Sequence, residues 1–168
     1  MKREPVIEIE HLVTRFGDTV VHEDISLTIE RGEVFAIAGA SGCGKSTLLR
    51  EIVMLMPLYA GHIRVLGCDI VHLGATEAAR LRRRWAMMFQ GGALFSGLTV
   101  AENVALPLRE HTDLTPDDIV ELAHIKIALA GLPADAANKY PRELSGGLKK
   151  RAALARAIAL DPELLFLD

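Results

Sequence analysis

The stretch Gly39-Ala40-Ser41-Gly42-Cys43-Gly44-Lys45-Ser46 satisfies the pattern G-x-x-x-x-G-K-[ST] at every fixed position. Glycines let successive backbone N–H groups turn inward without obstruction by a Cβ, and a helix starting directly behind them offers the positive end of its dipole. That combination suits a chain of phosphates. Lys45 supplies a charge for the β- and γ-phosphates, the Ser46 hydroxyl suits Mg²⁺, and Thr47 joins them as a binding position in the first helical turn. The flanks agree: Val34-Phe35-Ala36-Ile37-Ala38 is a short apolar run suited to a buried parallel strand, and Leu48, Leu49, Ile52, Val53 and Met56 recur at helical spacing. A plain turn between strand and helix needs neither the lysine nor the hydroxyl.

At 168 residues the chain has the size of one domain. Nineteen Lys and Arg against 22 Asp and Glu give a net charge of −3, which offers no basic footprint for nucleic acid. No apolar run approaches the roughly eighteen residues needed to cross a bilayer, and the start Met1-Lys2-Arg3-Glu4-Pro5 lacks a signal-peptide core, so a cytosolic polypeptide is expected. Cys43 and Cys68 lack metal-ligand spacing and read as small buried side chains. The six histidines show no pairing pattern and receive no catalytic or metal role.

Val6 to Thr14 and Thr19 to Ile29 are rich in β-branched residues around Phe16-Gly17-Asp18, which predicts an antiparallel hairpin. Gly61 to Ile70 predicts short strands around Gly67. From about Glu77 to Ala130 the pattern turns helical. Thr115-Pro116-Asp117-Asp118 is a helix start with a Thr cap, and Leu122, Ile125, Leu129 and Leu132 form its expected apolar stripe, stopped by Gly131. Arg82-Arg83-Arg84 reads as a solvated face. Leu164-Leu165-Phe166-Leu167-Asp168 reads as a buried strand ending in a carboxylate, and the absence of a turn or polar tail there suggests that the natural protein continues.

A second motif, Leu144-Ser145-Gly146-Gly147, stands one hundred residues after Lys45 and opens a helix with Leu148, Ala152, Ala155 and Ala159 on one face. A serine cap followed by two glycines exposes a helix N-terminus, a second place for an anion. With these motifs the chain resembles the ATP-binding-cassette (ABC) ATPases over its whole length. The resemblance implies an α/β fold: a P-loop NTPase core with a parallel sheet, an N-terminal antiparallel β layer and an inserted helical subdomain. The core would take about residues 1–88 and 159–168; the Q-loop, helical subdomain and signature helix would take about 89–158. It assigns residues 39–46 to the phosphate loop, 144–147 to the signature and 164–168 to the Walker B strand. Gln90 matches the Q-loop residue that touches Mg²⁺ and signals to membrane subunits, Asp168 a Mg²⁺-shell carboxylate, and Phe16 the aromatic that stacks on adenine. Leu148 stands where the family often has Gln. The family's catalytic glutamate and switch histidine would lie beyond Asp168.

The stretch from Phe89 to Thr112 and the run Lys149 to Ala157 are similar to the ATPase subunits of bacterial lipid transporters that work with MCE proteins. The resemblance implies ATP and Mg²⁺, a second ATPase subunit paired head to tail, transmembrane permease subunits, an MCE-type lipid-binding protein reached through the permease, and a place on the cytoplasmic face of the bacterial inner membrane. Residues 91–107 are then expected to face the permease, with Leu98 and Val100 in the interface. Three alternatives stay open: an ABC ATPase for another substrate, a DNA-repair or chromosome ATPase, and a soluble P-loop kinase. The second lacks its coiled coil here, and the third leaves Gln90 and Ser145 without roles.

Overall fold

The computed structural model describes residues 4–168, so Met1, Lys2 and Arg3 of the start read above lie outside the described residues. Two compact units divide the chain after Leu81.

The first unit is built on a four-stranded antiparallel sheet in the order β2-β1-β3-β4, with β1 Pro5–Phe16, β2 Thr19–Glu30, β3 Ala60–Val65 and β4 Cys68–Asp69. The predicted hairpin forms. Phe16 pairs with Thr19 across a two-residue turn, and Gly17 there takes φ +57, which a glycine adopts without strain. A second tight turn at Leu66-Gly67 joins β3 to β4, with both residues at positive φ. The sheet buries Ile7, Ile9, Leu12, Ile63 and Val65, alongside Leu48, Leu49 and Ile52 from helix α1, Lys45–Ile52. Full burial of such side chains stabilises by about 1.5–3 kcal/mol each. Helix α2, Ala75–Arg82, closes this part of the chain.

The predicted strand at 34–38 does not form. The segment has no regular structure, and Val34 is 98 % exposed, with Phe35 and Ile37 exposed as well. An apolar run becomes a parallel strand only when neighbouring strands take up its N–H and C=O groups, and among the described residues none pairs with it.

The second unit holds the one parallel pair among the described residues, β5 Trp85–Met88 beside β6 Leu164–Leu167. Trp85 and Phe166 meet edge to face at 6.2 Å. Two expectations need correction here. The helical pattern from 77 to 130 is interrupted by β5 and by a loop, because four residues are too few to show a period against their helical flanks. Strand β6 is only partly buried: Phe166 is covered while Leu165 and Leu167 are exposed, since its alternate side chains face opposite sides of a two-stranded sheet.

Three helices make the second core: α3 Val100–His111, α4 Pro116–Leu129 and α5 Gly146–Ala157. Thr99 and Thr115 cap α3 and α4 through complete capping boxes with Glu102 and Asp118. Gly131 follows α4 at φ +73, the left-handed stop expected of it. The stripe predicted for α4 holds only in part, with Leu132 buried in the core just beyond the helix. Ile119, Ala123 and Ile127 are buried, whereas Ile125 and Leu129 are exposed, and Leu122 packs at the margin of the core. The α5 face holds as expected, with Ala152, Ala155 and Ala159 buried and Leu148 packed against them.

Asn103 is fully buried in α3 and fastens the loop before it. Its carboxamide oxygen accepts from the Phe95 N–H at 2.8 Å, and its amide donates to the carbonyls of Phe95, Leu98 and Thr99 at 3.1, 3.1 and 2.9 Å. Asn103→Leu leaves these loop groups unpaired and is expected to cost about 2–3 kcal/mol. Urea unfolding would show it as a lowered midpoint at unchanged slope.

Candidate nucleotide site

The phosphate-loop sequence sits where the chain passes into α1. Gly42 and Gly44 take φ +83 and +93, conformations that leave little choice but glycine, and Gly44 is the residue on which α1 starts. The start of α1 carries the positive end of the helix dipole, the setting in which helix N-termini receive anions. The Lys45 ammonium folds back across the loop and donates to the Gly39 and Ala40 carbonyls at 3.0 and 2.8 Å. A Cβ on Gly39 would come within 2.8 Å of Cys43 Sγ, so the loop closes tightly on itself. Ser41 is exposed, and Ser46 and Thr47 are half-buried in the first turn of the helix. Cys43 is exposed, contrary to its reading as a buried side chain, because the loop that carries it is itself exposed; its sulfur lies against Gly39 and 3.7 Å from the Lys45 ammonium.

Phe16, at the hairpin tip, is 54 % exposed. It borders a cavity of about 360 Å³ walled also by Thr14, Arg15, Glu51 and residues 56–59.

In the second unit, the register of β5 and β6 places Gln90 and Asp168 at one end of the parallel pair. Met88 pairs with Leu167, and the Asp168 N–H donates to the Met88 carbonyl at 3.0 Å. Both residues are exposed, beyond the carboxyl ends of the strands, where open α/β sheets present ligand sites. Their side chains carry oxygen donors of the kind Mg²⁺ prefers. Among the described residues no group of three or more His, Cys, Asp or Glu is placed to hold a metal by itself.

Ser145 caps α5, accepting from the Leu148 N–H at 3.4 Å. Ser145, Gly146 and Gly147 are exposed, and among the described residues nothing outside the helix's own backbone stands within 4 Å of a Cβ built on either glycine. The start of α5 is therefore bare backbone open to an incoming group.

Sequence reasoning missed Arg156. Its guanidinium donates to the Ala93 carbonyl at 2.8 Å and the Gly92 carbonyl at 3.1 Å and lies over the Phe95 ring. Burial pushes its pKa down from the ordinary arginine range. A Cβ on Gly92, at φ +74, would come within 3.2 Å of Ala153 Cβ, so the loop after Gln90 is seated directly on α5. The helix opened by Ser145 and the loop behind Gln90 are thus joined. The only sequence signal was an arginine among the alanines of α5.

The expected interface residues separate. Val100 is fully buried at the head of α3, which removes it from any docking surface, and a charge there would break the core. Leu98 is half-buried and Phe95 is exposed.

The ABC transporter family model matches residues 22–168. The chain belongs to this family. It is 41 % identical over 162 residues to the probable ribonucleotide transport ATP-binding protein mkl of Mycobacterium tuberculosis, covering 96 % of this chain and 45 % of the relative. It is 44 % identical over 164 residues to the intermembrane phospholipid transport system ATP-binding protein MlaF of Haemophilus influenzae, covering 97 % and 61 %. The chain thus spans about half the length of the curated relatives it matches. Among solved structures it is similar to the ATP-binding cassette MJ0796 in a dimeric post-hydrolysis state bound to ADP and Pi, with a TM-score of 0.85, 29 % identity, and 96 % of this chain and 73 % of that chain covered. The mixed α/β fold is therefore that of an ABC cassette. No helix of the described residues is long and apolar enough to cross a membrane.

Proposed function

We propose that this ABC cassette binds and hydrolyses ATP to energise phospholipid transport through a membrane permease. The observation that carries the nucleotide part is the phosphate loop: two glycines at positive φ, a lysine already folded over the loop, and a helix start directly behind it. Residues 39–47 bind the phosphates, with Lys45 turning from the loop carbonyls to the β- and γ-phosphates, while the exposed Phe16 ring stacks on the base. Ser46 of the first unit and Gln90 and Asp168 of the second are the residues that would hold Mg²⁺, which would neutralise charge on the phosphates. Ser145, Gly146 and Gly147 serve the nucleotide of a second copy arranged head to tail, in keeping with the dimeric solved relative. Catalysis by these residues is mainly positioning and charge stabilisation. On the cytoplasmic face of the inner membrane the helical part, about residues 89–158, transmits closure to the permease and through it to an MCE-type protein.

The phospholipid cargo rests on the likeness to MlaF, which is 44 % identical over nearly the whole of this chain, and on the resemblance along residues 89–112. The relative named for ribonucleotide transport supplies the competing cargo. Capture on liposomes carrying an MCE-type permease tests the assignment. The chain should be retained, and Phe95→Glu, on the exposed tip of the loop that Asn103 and Arg156 hold, should abolish retention with MgATP affinity unchanged. Undiminished capture of a folded Phe95→Glu chain would contradict the interface, and retention only by a nucleotide permease would shift the cargo.

A further inference from the structure

Beneath the phosphate loop, three polar side chains from three elements meet away from water. Thr14 of β1 is 2 % exposed, His22 of β2 is 7 % and Glu51 of α1 is 0 %. The Thr14 hydroxyl lies 2.9 and 2.8 Å from the two carboxyl oxygens of Glu51, and His22 Nδ1 lies 2.8 Å from the same hydroxyl. The far edge of the imidazole faces the loop. A Cβ on Gly44 would come within 2.5 Å of His22 Nε2 and 2.9 Å of its Cε1, so the ring edge packs directly against the Gly44 backbone. Gly44 is the residue immediately before Lys45 and the one on which α1 starts.

Two proton arrangements satisfy the cluster without a net buried charge, and only one of them is free of buried ions. Burial raises the Glu51 pKa, against the Thr14 hydrogen bond, and lowers that of His22, against the contact with Gly44. With both neutral, the Glu51 carboxyl donates to Thr14 Oγ1, the Thr14 hydroxyl donates to His22 Nδ1, and the protonated Nε2 edge of His22 lies against the Gly44 backbone. The charged alternative, carboxylate and imidazolium with the hydroxyl reversed, leaves that edge unchanged. Either way the trio delivers one fixed N–H to the loop. A buried polar cluster is retained at a cost that apolar packing would avoid, which a role in specifying the loop explains.

We propose that Glu51, Thr14 and His22 are positioning residues that hold Gly44, and with it Lys45 and the first turn of α1, in the geometry that receives phosphate. The proposal rests on the phosphate-loop reading. None of the three touches the phosphates; they act through Gly44.

The test compares near-isosteric pairs by MgATP titration of the chain, with Lys45→Ala as the reference for lost phosphate binding. Thr14→Val cuts the relay and His22→Phe keeps the ring while removing the donor; each should weaken MgATP by roughly tenfold, the scale of one unpaired buried group. Thr14→Ser and Glu51→Gln retain the donations and should bind within about twofold of the parent. Hydrogen exchange of the Gly44 and Lys45 amides should be faster in Thr14→Val than in Thr14→Ser. A cluster that merely stabilises the fold would shift the melting temperature and leave the affinity of folded protein alone. Equal affinity of Thr14→Val and Thr14→Ser, or a Glu51→Gln chain as weak as His22→Phe, would overturn the proposal. If the parent binds MgATP no better than Lys45→Ala, the phosphate-loop reading fails instead. Amide exchange then decides the positioning role by itself, equal rates in the two Thr14 variants refuting it.

Discussion

Lys45→Ala should lower MgATP affinity by roughly tenfold to a hundredfold, the value of a charge-assisted hydrogen bond to phosphate. Its stability should change little, because in this structure the ammonium donates to the Gly39 and Ala40 carbonyls and to Cys43 Sγ, all on the exposed loop. Those carbonyls can turn to water when the ammonium is removed. Titration of a fluorescent ATP analogue, with a thermal melt on the same sample, separates the two effects. Unchanged affinity in a folded Lys45→Ala chain would reject the phosphate-loop assignment. In the complete transporter the same substitution should abolish ATP-driven transport.

Ser145→Arg should have the opposite profile. Ser145 and the two glycines after it are exposed, and among the described residues no side chain stands within 4 Å of a Cβ built on either glycine. Losing the cap bond to Leu148 should cost about 1 kcal/mol. Affinity of the single chain for MgATP should stay within about twofold. ATP-driven pairing should be lost, because the new side chain fills the bare start of α5 that a second copy's nucleotide would approach. Sedimentation with and without MgATP reads this directly, and pairing of Ser145→Arg equal to that of the parent would place the partner's nucleotide elsewhere.

Local chemistry was legible wherever a residue acts on its own neighbours. The hairpin turn at Gly17, the Thr115 and Ser145 caps, the Gly131 stop and the glycine loop all follow from φ preferences or from side chains bonding backbone two or three residues away. What escaped depends on distant partners. Residues 34–38 have the composition of a buried strand and remain exposed, since composition cannot supply neighbours. In α4 the two candidate faces are both apolar, and only packing against α3 and α5 chooses Ile119, Ala123 and Ile127 over Ile125 and Leu129. Asn103 looks like any polar residue on a helix until its four loop contacts are seen. His22, given no role from sequence, lies eight residues from Thr14 in the chain and 29 from Glu51, and nothing local announces that the three meet under Gly44.

In the proposed pair, one copy's phosphate loop and another copy's α5 start close on the same nucleotide. Cys43 is an exposed thiol in that loop, and Ser145→Cys places a second at the start of α5. A short bifunctional thiol reagent applied to the Ser145→Cys chain should yield a cross-linked dimer with MgATP and little without it. Adding Cys43→Ser should remove the product, since the remaining native thiol, Cys68, lies half-buried at a β-turn. A dimer that forms equally without nucleotide, or survives Cys43→Ser, would contradict the account, as would a chain that binds MgATP and remains monomeric under the reagent.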